Sequence, residues 1–428
     1  MRRFLFLIAL ALARASAQKE DDVAVPMTTL SSGTKLPLVG MGVGNLQHEW
    51  IEHQVAAAMR PNVKCRLIDT AHASRNEDIV RDGIEDGLAG SKDEVHVVTK
   101  VWYTHLGYER TLLSVKESLK ALRSKESNIQ VHILLHWPRC IDEIPWMECE
   151  KEEEALPAHV KEAGPPPHLQ KDTAWKASWR ALEDLMMGKQ KLEDGLPKIA
   201  SIGVSNFEMD DLKAMATVAR TMPAIFQGNV WAYLFDPFLM DFLDKHKIHF
   251  QAYNVINGIF GRVRTGPRAE GSLKSIAQAV SSRNHTYTPV QVVLHWLSQE
   301  GVSVIPRMAS ERHLQENSAA EIGGMPPFTE RQAERVRNAV ASLLRGQDLD
   351  PPKAEFVNKH SDRNIDIFWS SEDGKEVPVK DNLKPGENFN TVTFPGHVFV
   401  AYDNDKKTRK EFTIQADYGE HEQFHIEL

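Results

Sequence analysis

Cysteine is scarce in this chain, with only Cys65, Cys140 and Cys149 among 428 residues. Three thiols cannot build the disulfide framework of a small secreted scaffold. None lies in a Cys-x-x-Cys pair or beside histidine at finger-type spacing, and the 18 histidines are scattered, so spacing predicts no metal site. Cys140 and Cys149 can pair across a short loop, which would leave Cys65 free and buried in or beside a strand. Positive charge is also short: Lys and Arg number 51 against 59 Asp and Glu, a net charge of −8. That balance excludes the basic surface expected of a nucleic-acid binder. Past the amino terminus, no apolar run is long enough to span a bilayer.

The amino terminus carries a signal of its own. Arg2 and Arg3 precede the apolar run 4–13, and Ala15-Ser16-Ala17 supply small residues before Gln18, the three-part pattern of a secretory signal peptide over 1–17. Asn284-His285-Thr286 is an N-glycosylation sequon. The last four residues, 425–428, read HIEL, which resembles an HDEL retention signal. Together they predict the secretory pathway, with the endoplasmic reticulum lumen as first expectation and secretion as the alternative.

From 27 to 345, short apolar runs alternate with helix-like patterns. Strands are expected at 39–42, 66–69, 95–99, 131–135, 199–203, 225–228, 249–252 and 302–305. Amphipathic spacing lies between them, as in Leu112, Val115, Leu119 and Leu122. Eight strand–helix units predict an α/β fold, a closed TIM (β/α)8 barrel, whose requirement of about 250 residues this stretch satisfies. One insertion, 139–173, carries an acidic run at 148–154 and the Pro-rich tract 164–167; its composition predicts an irregular, solvated loop, and its exit after the fourth strand puts it on the active face, either covering or lining the substrate opening or as an inert surface loop. The Asp-Pro-Pro stretch at 346–353 reads as a linker. Beyond it, over 354–428, alternation at 364–369 and 398–402 with turn pairs Asp373-Gly374 and Pro385-Gly386 predicts a small all-β sandwich and a tail.

Chemistry is expected where strands end, because α/β barrels place reactive groups at the carboxyl ends of their strands. The second strand ends at Asp69, the third in Thr99-Lys100-Val101-Trp102, and the fourth in His136-Trp137-Pro138. A carboxylate, an ammonium and an imidazole at adjacent strand ends are within mutual reach. Asp69 would hold Lys100 charged and oriented, and His136 could direct a carbonyl by hydrogen bonding.

The motifs resemble those of the aldo-keto reductase superfamily over about 29–317: Gly40-Met41-Gly42, DTAHASRNE at 69–77, Thr99-Lys100-Val101-Trp102, LLHWP at 134–138 and GVSNF at 203–207. Gln227, Tyr253, Pro306, Glu316 and Asn317 follow in family order. The resemblance implies NADP(H)-dependent reduction of a small aldehyde or ketone. It assigns Asp69, Lys100 and His136 to the catalytic tetrad, with Ser74 at the register of the family's proton-donating tyrosine. It gives the cofactor Gly42, Asp69, Ser205, Asn206, Gln227, Tyr253, Arg307, Glu316 and Asn317, and the substrate pocket Trp102, Tyr103 and Trp137.

Departures from the family carry information. Ser74 lacks a phenol, and general acid catalysis contributes about 10²–10⁴-fold. Tyr103 or Tyr108 from the next loop, His136, or a water relayed by Lys100 could stand in. Met308, His313 and Val43 depart from the family at the cofactor site and imply a weaker grip on its 2′-phosphate. The alternative function is a catalytically impaired cofactor-binding barrel acting as a scaffold.

Residues 354–415 are similar to the β domain of the von Hippel–Lindau protein, through Phe356-Val357-Asn358, Ile367-Phe368-Trp369, Leu383-Lys384-Pro385-Gly386 and Thr393-Phe394-Pro395-Gly396-His397. The resemblance implies a protein or peptide partner, with Trp369, Thr393 and His397 at positions of a hydroxyproline pocket. Val392, Phe399 and Val379 depart from that pocket.

Overall fold

The computed structural model describes residues 25–427 apart from 45, 171, 262–265, 372–373 and 406. The expected signal segment 1–17 and Leu428 of the terminal HIEL lie outside them. Chain contacts divide the protein into two compact units: 1–261 with 293–327, and 262–292 with 328–428. No helix among the described residues is long and apolar enough to cross a membrane.

Among the described residues, the first unit holds ten strands. A hairpin of β1 (Met27–Thr29) and β2 (Lys35–Pro37) precedes eight parallel strands in one sheet. These are β3 (Met41–Gly42), β4 (Leu67–Asp69), β5 (Glu94–Val101), β6 (Asn128–Leu135), β7 (Lys198–Ser205), β8 (Ile225–Asn229), β9 (His249–Tyr253) and β10 (Ser303–Val304). Every expected strand is present. Val39 bridges Val304 in parallel, with Gly40 N–H donating to the Val304 carbonyl at 2.9 Å, so first and last strands meet and the barrel closes. Closure requires a glycine there: a Cβ on Gly40 would stand 2.6 Å from Leu67 Cγ. The barrel floor is apolar. Leu30 and Leu36 of the hairpin segment pack on Leu67, Val98, Leu134 and Ile225.

Residue alternation along the strands decides which side chains enter the barrel. Register pairs Asp69 with Val98 and Lys100 with Leu134, so Asp69, Val98 and Lys100 share the inner face. Val97, Thr99 and Val101 point to the surrounding helices.

The insertion differs from expectation. Segment 139–173 contains three short helices, Cys149–Ala155, Ala158–Glu162 and Pro167–Gln170, and a disulfide joins Cys140 to Cys149, leaving Cys65 free and buried. The acidic run reads as solvated because most of its carboxylates are. Two are not: Glu153 is buried and forms paired bonds to the Arg110 guanidinium at 2.8 and 2.9 Å, while Glu152 turns to the barrel rim.

The second unit pairs two sheets. One runs β14 (Asn388–Val392), β11 (Lys353–Asn358), β17 (His421–Ile426); the other runs β13 (Glu376–Leu383), β12 (Ile365–Ser370), β15 (Val398–Asp403), β16 (Arg409–Thr413). Phe356 is fully buried at the centre, its ring 5.0 to 5.9 Å from those of Phe399, Phe412 and Phe424. This is the expected all-β sandwich. It also holds the helices Pro267–Val280 and Glu330–Arg345, which the expected boundary at 346–353 had placed with the barrel. Polar contacts tie them in: Asp417 accepts from Ser272 Oγ at 2.9 Å and pairs with Arg335, and Arg331 pairs with Glu420 at 2.7 Å. The later helix begins in a Thr329/Gln332 capping box and ends at Gly346, whose φ of 68° suits a left-handed C-terminal stop.

Candidate active site

Three strand ends build the site. Asp69 closes β4, Lys100 lies one residue before the end of β5, and His136 follows β6 directly. Lys100 is buried, and its ammonium donates to Asp69 Oδ1 and to the Thr70 carbonyl, both at 2.7 Å. A buried cation held by a carboxylate and a carbonyl is fixed in direction as well as charge. Gln227 Nε2 donates to the same Asp69 oxygen at 2.6 Å and to Gln251 Oε1 at 2.7 Å.

His136 is half-buried beneath the edge of Trp102, ring centroids 4.9 Å apart. Burial, with the Lys100 cation adding to it, holds its pKa well below the usual histidine value. The imidazole is neutral at pH 7, and its Nδ1 has no partner among the described residues.

The rest of the DTAHASRNE motif braces this arrangement. Thr70 Oγ1 donates to Asn76 Oδ1 at 2.5 Å, and Thr99 donates to the buried Glu77. Ser74 lies in a short 3₁₀ turn, His72–Ser74, and is half-buried.

Asn206 stands just past β7 with a left-handed φ of 57°, a conformation asparagine tolerates better than most residues. Its Nδ2 donates to the His136 carbonyl at 3.0 Å and to Ser205 Oγ at 3.1 Å, and its Oδ1 accepts the Tyr253 hydroxyl at 2.8 Å. The Asn206 N–H donates to the Gln227 carbonyl at 3.4 Å, which links Ser205, Asn206 and Tyr253 to Gln227 and so to the Asp69–Lys100 pair. Gln227 Oε1 and the Ser205 hydroxyl hydrogen remain uncommitted among the described residues, ready for an amide ligand. Farther along, Arg307 is exposed, Met308 is buried, Glu316 is half-buried, and buried Asn317 has an unpartnered Oδ1. Gly42 has a packing role: a Cβ there would come to 3.0 Å from the Ile305 carbonyl.

A model of the aldo/keto reductase family matches residues 40–340. The chain belongs to the aldo/keto reductase family. This family member is 28% identical over 295 residues to the 9,11-endoperoxide prostaglandin H2 reductase of Trypanosoma cruzi, covering 68% of this chain and 83% of that one. It is 27% identical over 308 residues to an NAD(P)H-dependent D-xylose reductase of Candida tenuis, covering 69% and 88%. Among solved structures, an aldo/keto reductase from Brucella melitensis matches with a TM-score of 0.55 at 24% identity, covering 74% of this chain and all of that one. A Bombyx mori aldo-keto reductase in complex with NADP matches with a TM-score of 0.56 at 20% identity, covering 74% and 92%. At those identities the structural likeness establishes the barrel fold.

Two features of this barrel's mouth escape sequence reasoning. Glu152 of the insertion accepts from Trp102 Nε1 at 2.7 Å and also from the Tyr103 hydroxyl. Trp146, half exposed, lies 6.2 Å from Trp102 and 5.7 Å from Trp137 by ring centroids. The substrate side is thus lined by three indoles, one from the insertion, while Tyr103 is buried. No motif marked Glu152 or Trp146. Gln251 was missed as well, although its place two residues before Tyr253 on β9 is a signal that could have found it.

Proposed function

We propose that this protein reduces the carbonyl of a small aldehyde or ketone using NADP(H). The observation that carries this reading is the buried Asp69–Lys100 pair, bonded through Gln227 to a polar set with free amide-binding atoms. Ser205, Asn206 and Gln227 would hold the nicotinamide carboxamide and Tyr253 its ring face, with Gly42 and Asp69 bordering it. Asn317 and Glu316 would take the adenine end and Arg307 the 2′-phosphate. NADPH, when bound, supplies the hydride.

The chain must supply the proton. Tyr103 gives its hydroxyl to Glu152, and Tyr108 gives its own to Asp184 at 2.9 Å, so neither phenol is free for the task. His136 is neutral and a poor acid, suited to donating a hydrogen bond to the carbonyl oxygen. Lys100 is left as the proton source, its Nζ passing a proton through water across the space a tyrosine at position 74 would fill. The test is turnover of a reactive aldehyde such as a nitrobenzaldehyde, with NADPH binding followed separately by fluorescence. Lys100→Met should abolish turnover and spare binding. NADPH binding with no turnover in either protein would instead support the scaffold reading.

We propose, independently of the reductase reading, that the β unit binds a protein or peptide partner. Thr393 is buried with its hydroxyl 3.3 Å from His397 Nδ1, and the His397 ring lies 5.4 Å from Trp369, whose indole N–H has no partner among the described residues. This grouping is consistent with the hydroxyproline-pocket resemblance. Binding of a hydroxyproline peptide in preference to its proline counterpart would bear it out, and equal or no binding of both would reject it.

We also propose residence in the endoplasmic reticulum lumen. The Cys140–Cys149 disulfide fits an oxidising compartment. Removing 425–428 should then release the protein to the medium; unchanged release would reject a retention role for these residues.

A further inference from the structure

In the loops that bear Ser74 and Tyr103, two histidines converge with a glutamate, and a third histidine reaches the same glutamate. His72 is in the turn after β4, His105 in the turn after β5 (Tyr103–His105), Glu117 in the helix Tyr108–Ala121, and His159 in the insertion helix Ala158–Glu162. Ligand atoms of His72, His105 and Glu117 all lie within 4.8 Å of one another. Glu117 spans two imidazoles, with Oε2 2.9 Å from His72 Nε2 and Oε1 3.3 Å from His159 Nε2. The rings of His72 and His105 meet edge to face at 4.8 Å.

We propose that His72, His105, Glu117 and His159 bind a single divalent transition-metal ion, with Zn²⁺ the best match. Zinc takes imidazole and carboxylate ligands at about 2.0–2.1 Å in tetrahedral geometry, which sets ligand atoms about 3.3 Å apart. The His72–Glu117 and His159–Glu117 separations stand near that figure before any ion enters. The His105 ligand atom stands farther off, within 4.8 Å of the others, and would have to close in on the ion. The donor set excludes magnesium and calcium, which take oxygen ligands, and contains no thiolate to favour copper(I).

The surroundings are arranged as such a site requires. Thr104 Oγ1 is 3.0 Å from His105 Nδ1, the outer hydrogen bond by which proteins fix a ligating imidazole and leave Nε2 for the metal. His105 is buried, His72 and Glu117 half-buried and His159 exposed, so an ion has a route in from the His159 side. The neighbouring cation Arg110 is neutralised by its paired bonds to Glu153. Four segments supply the four ligands, so no spacing in the sequence announces the site. Bound metal would tie the insertion to the two loops that border the reactive pair. This proposal is independent of the reductase reading.

The test uses the full chain with added metal. One equivalent of Zn²⁺ should survive dialysis, and Co²⁺ in its place should show the visible absorption of a four-coordinate ion. Glu117→Gln, and separately the exposed His159→Ala, should weaken binding at least tenfold, the loss already typical of outer-sphere partners. Zn²⁺ should also slow proteolysis within 139–173 in the parent chain and not in the variants. His159→Ala sits at the surface and keeps the protein folded, as its melting curve would confirm. Metal retained equally by parent and both variants, or none retained by the folded parent, would leave a cluster held by hydrogen bonds alone and overturn the proposal.

Discussion

The hydroxyl of Tyr103 donates to the carboxylate of Glu152, which reaches the barrel rim from the insertion. Burial, then the bond and charge of that carboxylate, push the phenol's pKa upward and make it a weaker acid than a free tyrosine. Tyr103 therefore ties the insertion to the barrel rim, and in the proposed mechanism it takes no part in proton transfer. Tyr103→Phe should change kcat less than threefold while costing about 1 kcal/mol of stability, the usual worth of such a bond. A hundredfold loss of kcat in that variant would return the phenol to the mechanism.

Position 74 offers the converse experiment. Ser74 is half-buried in the short turn His72–Ser74, with its hydroxyl 3.4 Å from where a Cβ on Gly44 would sit. Ser74→Tyr should raise kcat by about 10²–10⁴-fold, the contribution of a placed general acid. Adding Lys100→Met should cancel the gain, because the phenol depends on the ammonium to lower its pKa. Unchanged steady-state rates on Ser74→Tyr would mean that proton donation does not limit turnover.

Glu153 and Arg110 form a buried ion pair that anchors the insertion, with Arg110 also donating to the carbonyls of Thr104 and Gly164. Removing one charge leaves the other buried without its counterion, which costs about 3–5 kcal/mol. Urea unfolding of Glu153→Gln should show a loss in that range. A loss below about 1 kcal/mol would show that the pair is effectively solvated.

Acid should destabilise the protein well before its carboxylates titrate. Burial, with His96 nearby, lowers the His132 pKa to about 3, and burial lowers that of His249 to about 4. Both stay neutral in the folded chain while their unfolded counterparts protonate near 6.5. The unfolded state then binds more protons, so stability is complete above pH 6.5 and falls as pH drops toward the folded values. At pH 5 each group costs roughly 2 kcal/mol. Denaturant midpoints at pH 7.5 and 5 should differ accordingly, and less so in His249→Gln; equal slopes in parent and variant would exclude His249 as a source.

Much of the barrel was legible because local chemistry agrees with tertiary placement. Ile129, Val131, Ile133, Leu134 and Leu135 are apolar because β6 is covered on both faces, and Pro138 stops the strand where His136 is needed. The insertion was misread for a definite reason. Seven consecutive residues at 148–154 include five glutamates, and nothing local separates Glu152 and Glu153, which turn inward, from those that face water.

By itself, then, the sequence determined the order of strands and helices, the β-rich nature of the carboxyl-terminal segment, and the strand-end trio Asp69, Lys100 and His136. Those follow from periodicity and from residues adjacent in the chain. The tertiary structure alone decided that Tyr103 belongs to Glu152, that Arg110 belongs to Glu153, and that β11 runs parallel to β17 across more than 60 residues of chain. It also decided the meeting of His72, His105, Glu117 and His159. Such contacts are made when distant segments dock, and their energy depends on burial and direction, neither of which is written in the spacing of residues along one strand or one helix.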